Sequence, residues 1–138
     1  MRVLVVDDEP DVLLLCRVNM EFAGHQVIEA PDAIAGMEKA LSESPDLIVL
    51  DIMLPGKDGI EMLRDLRDDE RLANLPVILL TAKTQAQDLA SGYDAGADDY
   101  ITKPFSPSVL MNSIEQVLRM SPEERAERRK QALRRSGG

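Results

Sequence analysis

Apolar residues in this chain come in short bursts, and between the bursts they recur with helical spacing. Residues 3–6, 47–50 and 77–80 are uninterrupted apolar runs, and 26–30 and 99–102 are mixed ones. Continuous runs of this length, rich in β-branched residues, predict strands of a parallel sheet covered on both faces. Between them the pattern predicts helices over about 11–22, 33–42, 60–68, 86–95 and 107–120. Local chemistry marks their limits. Pro10 suits a first helical position, Gly24 and Gly96 suit helix ends, and Asp32 and Ser106 suit N-caps. Ser44-Pro45-Asp46 and Pro76 turn the chain into the third and fourth strands. Five strand–helix units in alternation predict an α/β fold with helices on both faces of one sheet. Right-handed crossovers restrict the topology, and the doubly wound strand order 2-1-3-4-5 fits.

The residues that stop the runs are more informative than the runs. Asp7-Asp8 follows the first strand, Asp51 the third, Thr81 the fourth and Lys103 the fifth. In a parallel sheet all of these positions lie along one edge, where open α/β folds hold ligands. Two carboxylates placed about 5 Å apart, such as Asp8 and Asp51, repel by about 3 kcal/mol at an effective dielectric of about 20. A bound cation resolves that cost. Oxygen ligands with few protein donors favour Mg²⁺, with the backbone carbonyl of Met53 as a further ligand. Asp51 then becomes a feasible nucleophile toward phosphorus, with the metal polarising the phosphoryl group. Lys103 supplies a point charge for Asp51 or a phosphoryl oxygen, and Thr81 a hydrogen-bond donor. Pro104 makes a cis peptide more accessible than elsewhere, which would aim Lys103 inward.

Charge narrows the partners. The last eighteen residues carry three acidic and six basic groups, a net +3, so the first 120 hold −12 of the overall −9. A body that acidic repels nucleic-acid backbone, and direct binding to it is not expected. No apolar stretch approaches the roughly 18 residues of a membrane span, and the chain enters a strand at once with no leader pattern. The lone Cys16 falls on the apolar side of the first helix and reads as a core thiol. A reducing, cytoplasmic setting is the expectation.

These positions, with their neighbours, resemble the receiver domains of response regulators in two-component phosphorelays. The resemblance is carried by Val5-Val6-Asp7-Asp8-Glu9-Pro10, by Leu50-Asp51-Ile52-Met53-Leu54-Pro55 with Asp58-Gly59, by Leu80-Thr81-Ala82, and by Gly96-Ala97-Asp98-Asp99-Tyr100-Ile101-Thr102-Lys103-Pro104-Phe105. It covers residues 1 to about 120 and implies a flavodoxin-like three-layer receiver fold. It implies that Asp51 accepts a phosphoryl group from a histidine kinase or phosphotransfer protein, and that Asp7 and Asp8 help to hold Mg²⁺. Thr81 and Lys103 would recognise the phosphoryl group, and Met53 and Lys83 would influence its lifetime. Tyr100 would act with Thr81 as a switch, phosphorylation biasing an existing equilibrium. The face formed by helix four, strand five and helix five would carry the signal to a protein partner. In this chain Asp98 and Asp99 lack some basic partners that winged-helix regulators present there, which leaves a monomer or a weak phosphorylation-dependent dimer.

Residues 121–138 read as a charged helical tail with no second domain. Ser121-Pro122-Glu123-Glu124 forms a capping box, and a solvated polar extension of helix five is the leading expectation, with a basic arm touching a partner or the acidic body the sharper one. The runs 65–71 and 123–135 read as solvated faces, and His25 as a surface residue. Two other functions compete. A Mg²⁺-dependent aspartyl-nucleophile phosphatase would show Asp-x-Asp after its first strand and a cap domain. A receiver belonging to a longer DNA-binding regulator is the nearer alternative. A nucleotide-binding protein is disfavoured for want of a glycine-rich loop ending in Gly-Lys-Ser/Thr. The expected role is a phosphoacceptor switch, not an enzyme.

Overall fold

The computed structural model describes residues 1–82 and 86–136, with backbone alone for 86–90, 135 and 136. Lys83, and the side chains from Asp88 to Ala90 on helix four, therefore lie outside the described residues.

Five strands, β1 (Arg2–Val6), β2 (Gln26–Ala30), β3 (Leu47–Asp51), β4 (Val77–Ala82) and β5 (Asp99–Lys103), form one parallel sheet in the order 2-1-3-4-5. They alternate with α1 (Pro10–Phe22), α2 (Ala33–Glu43), α3 (Gly59–Asp68), α4 (Ala86–Ala95) and α5 (Pro107–Arg119), and α6 (Pro122–Ser136) follows. Successive side chains of a strand point to opposite faces. Accordingly Val3, Val5, Leu47 and Val49 pack with Cys16 and Met20 of α1 and Leu110, Ile114 and Val117 of α5. Leu4, Val6, Ile48 and Leu50 pack on the other face with Ala33 and Ala40 of α2 and Met62, Leu63 and Leu66 of α3. This is the three-layer, doubly wound α/β architecture that the pattern predicted, with the flavodoxin-like form that the resemblance implied.

The expected punctuation is present. The Asp32 carboxylate accepts from the Ala35 N–H, and the Ser106 hydroxyl from that of Val109. Gly24 and Gly96 both have positive φ, and the Lys103–Pro104 peptide is cis. Strands β3 and β4 run further than predicted: Asp51 and Thr81 are strand residues, not the first residues past the strands. Their polarity does not end the ladder, because Asp51 still pairs with Leu80 and Thr81 with Thr102.

The tail departs from the leading expectation. The chain leaves helical conformation at Met120 (φ −86°, ψ 143°), and α6 begins as a separate helix. Its capping box forms as predicted, with Ser121 N–H donating to the Glu124 carboxylate and Glu124 N–H to the Ser121 hydroxyl. Instead of continuing α5 into solvent, α6 packs against α4, and its arginines engage the acidic start of β5.

Candidate functional site

Strand register brings the candidate residues together. β1 lies beside β3, β3 beside β4 and β4 beside β5, so their C-terminal ends share one edge. Asp7, one residue past β1, is fully buried, and its backbone N–H donates to Ala30 O at 3.1 Å. Asp51, at the end of β3, is 2% exposed. Asp8 is exposed, as is Glu9. One carboxylate oxygen from each of Asp7, Asp8, Glu9 and Asp51 lies within 4.8 Å of the others.

Lys103, the last residue of β5, reaches into this cluster. Its Nζ lies 3.0 Å from Asp7 Oδ2, 3.1 Å from Asp51 Oδ2 and 3.1 Å from Glu9 Oε1. The other Asp51 oxygen, Oδ1, accepts from the Met53 N–H at 3.0 Å, and Asp7 Oδ1 accepts from the Glu9 N–H at 2.9 Å. Burial pushes the Asp7 carboxyl above the ordinary carboxylate range, against the lowering pull of the Glu9 N–H and Lys103. For Lys103 burial works toward a lower pKa. The bond to Asp7 and the charges of Asp51 and Asp7 outweigh it, so the ammonium is held above its usual value and stays protonated. Four clustered carboxylates, three of them on the Lys103 amine, form a pocket whose candidate metal ligands are all oxygens. That donor set fits a hard divalent cation.

The remaining predicted residues fall nearby. Thr81 is buried near the end of β4, with Oγ1 3.4 Å from Ala82 O. Tyr100 is half-buried on β5, paired in register with Leu79, its ring centroid 6.1 Å from that of Tyr93 on α4. Met53 is exposed and contributes its N–H to Asp51. The β3–α3 loop is held close by Gly59, whose N–H donates to Ile52 O at 2.9 Å. A Cβ at Gly59 would meet the Asp51 carbonyl oxygen and lie 2.8 Å from Ile52 Cα. His25 is half-buried before β2, at the opposite sheet edge.

Glu9 is a site residue that the sequence reading passed over. It is the N-cap of α1 but makes no side-chain capping bond, which leaves its carboxylate to face Lys103. An acidic residue directly before Pro at a helix start was the available signal. Asp98 and Asp99, whose expected shortage was of basic residues facing a dimer mate, are paired within this chain. Asp98 is fully buried and bonded by Arg67, Arg125 and Arg129 at 2.7–3.2 Å, and Asp99 pairs with Arg128 at 3.5 Å. Arg119, on α5, pairs with its own Glu115.

An acidic pocket at the carboxyl edge of a doubly wound sheet, with a lysine delivered from the fifth strand, defines a receiver domain. The profile of the response regulator receiver domain matches residues 3–115, and the chain belongs to that family. It is 46% identical over 118 residues to the DNA-binding dual master transcriptional regulator RpaA of Synechocystis sp., covering 86% of this chain and 49% of the relative. It is 45% identical over 120 residues to the alkaline phosphatase synthesis transcriptional regulatory protein PhoP of Bacillus subtilis, covering 87% and 49%. The chain thus spans about half the length of the curated relatives it matches. Among solved structures, the BeF3-activated N-terminal receiver domain of Klebsiella pneumoniae RstA superposes with TM-score 0.80 at 34% identity, covering 87% of this chain and all of that one.

Proposed function

We propose that this receiver domain is a phosphorylation-activated signalling switch with Asp51 as its phosphoacceptor. The observation that carries the reading is the Asp51 carboxylate, buried at a strand end and oriented from both sides by the Met53 N–H and the Lys103 ammonium. A histidine kinase, a phosphotransfer protein or a small phosphodonor would supply the phosphoryl group. An Asp51 oxygen attacks phosphorus, the bond to the donor breaks, and an acyl phosphate forms. Asp7, Asp8 and Asp51, with the Met53 carbonyl and Glu9 at hand, would hold Mg²⁺, which offsets charge on the transferring oxygens. Lys103 moves its charge from the free carboxylate to a phosphoryl oxygen, and Thr81 donates to another. The response is relayed through Thr81 and Tyr100 to the face formed by α4, β5 and α5, and there to a protein partner. The chain supports its own phosphorylation and slow dephosphorylation and turns over no other substrate. No described helix is long and apolar enough to cross a membrane, in keeping with a cytoplasmic role.

Beryllofluoride with Mg²⁺ tests this directly. Amide signals around Asp51, Thr81 and Tyr100 should shift in the parent and stay in place in Asp51→Asn. A parental response from Asp51→Asn would mean that the nucleophile is another residue.

A second reading rests on the length of the relatives. RpaA is about twice as long and is named as DNA-binding, so this domain would control a DNA-binding portion of a longer regulator. Gene sequence beyond the codon for Gly138 distinguishes the two.

A further inference from the structure

Helix α6 lies outside the family match, which ends at residue 115. Arg125, Ala126, Arg128, Arg129, Ala132 and Leu133 are its buried or half-buried positions, while Glu123, Glu127, Lys130 and Arg134 face solvent. This is an amphipathic stripe whose apolar share includes the stems of three arginines. The stripe packs on α4 and ends in charge contacts. Arg125 Nη1 and Arg129 Nη1 lie 3.2 and 2.7 Å from Asp98 Oδ1, Arg128 Nη2 lies 3.5 Å from Asp99 Oδ1, and Arg125 Nη2 donates to Asn74 O at 2.6 Å.

Asp98 does not need these arginines for charge balance. Arg67, from α3, already holds Asp98 Oδ2 at 3.2 Å, and the Ser113 hydroxyl donates to Asp99. Two more guanidiniums on Asp98 are therefore surplus to its charge. They also crowd Arg67, whose pKa is brought down to about 10, by burial first and then by Arg129 and Arg125 against the pull of Asp98. Like charge therefore gathers where α6 docks, offset by Asp98, Asp99 and the Asn74 carbonyl.

We infer that α6 is a ligand held in cis on the α4–β5 face, closing that face to an arginine-bearing helix of another protein. Charge complementarity selects the occupant. The face presents Asp98 and Asp99, and the helix now seated there shows the spacing of guanidiniums that fits. A partner helix with the same stripe could bind only where α6 has left.

A fluorescein-labelled peptide of residues 121–136 serves as the probe, titrated by anisotropy against the full chain and against Arg128→Glu/Arg129→Glu. The variant, whose own helix is repelled, should bind the peptide at least tenfold more tightly than the parent does, and added salt should weaken the complex. A peptide carrying both Glu substitutions should not bind. Should the double variant lose its parental circular dichroism, Arg128→Gln/Arg129→Gln replaces it with the same expectation. Equal affinity for parent and variant, or no binding to a folded variant, overturns the assignment. So does a parent that sediments as a dimer exchanging α6 between copies.

Discussion

Replacing Asp98 with Asn isolates the most densely bonded carboxylate of the fold. Its Oδ2 accepts from Val77 N–H at 2.8 Å and from Arg67 at 3.2 Å, and its Oδ1 from Arg125 at 3.2 Å and Arg129 at 2.7 Å. An amide keeps one acceptor and turns the other position into a donor, so one side must set N–H against N–H. Breaking a buried ion pair by removing one partner costs about 3–5 kcal/mol. That range already includes an orphaned donor at about 1–3 kcal/mol. Three features favour the lower end. Arg67 keeps Gly96 O and Leu75 O at 2.7 and 2.6 Å, Arg125 keeps Asn74 O, and the Arg129 side chain, 24% exposed, can turn to water. The expected loss is about 3 kcal/mol, a large part of the roughly 5–15 kcal/mol that stabilises a domain. With a urea m-value of about 1–3 kcal/mol/M the midpoint should fall by about 1–3 M, read by circular dichroism. A midpoint within about 0.3 M of the parent at unchanged m-value would refute the reasoning, because the guanidiniums would then be served by solvent.

Two further outcomes follow from local geometry. Gly59→Ala would drive a Cβ into the Asp51 carbonyl and against Ile52 Cα; it should destabilise the fold by about 1–3 kcal/mol and blunt the beryllofluoride response, and an unchanged melt with a full response would show that the loop yields freely. The Cys16 thiol is pushed up to about 12, by burial first and then by the charge of Asp7. At mildly alkaline pH its thiolate is therefore scarce. Ellman's reagent should react at least about 100-fold more slowly with the native protein than with the protein in guanidinium chloride, and comparable rates would mean that the site opens readily.

The fold was legible because its signals are local. Apolar runs announced the three central strands, and Asp32, Ser106, Gly24 and Gly96 punctuated the helices where expected. The acidic site was legible for a related reason: its residues sit where such runs stop, and parallel topology carries every stop to one edge. Glu9 escaped notice because it was read as part of the helix start. The arginines escaped because hydropathy counts a guanidinium as surface. Arg67, in a run taken for a solvated face, bonds Gly96 O and Asp98 across 29 and 31 residues. Arg125, 5% exposed, meets Asp98 across 27. Nothing within a helical turn of either residue foretells such partners. Counting arginine stems as half apolar would have revealed the α6 stripe.

Lys103 touches three carboxylates at once and is tethered to the end of β5. A diffusible counter-ion thins out on dilution; this one cannot. A divalent ion arriving at these carboxylates would therefore meet a cation already in place, which would weaken its hold and ease its exchange. For the switch proposed above, such a lodging would let the cation leave without exposing naked acid and keep the pocket ready for the next round.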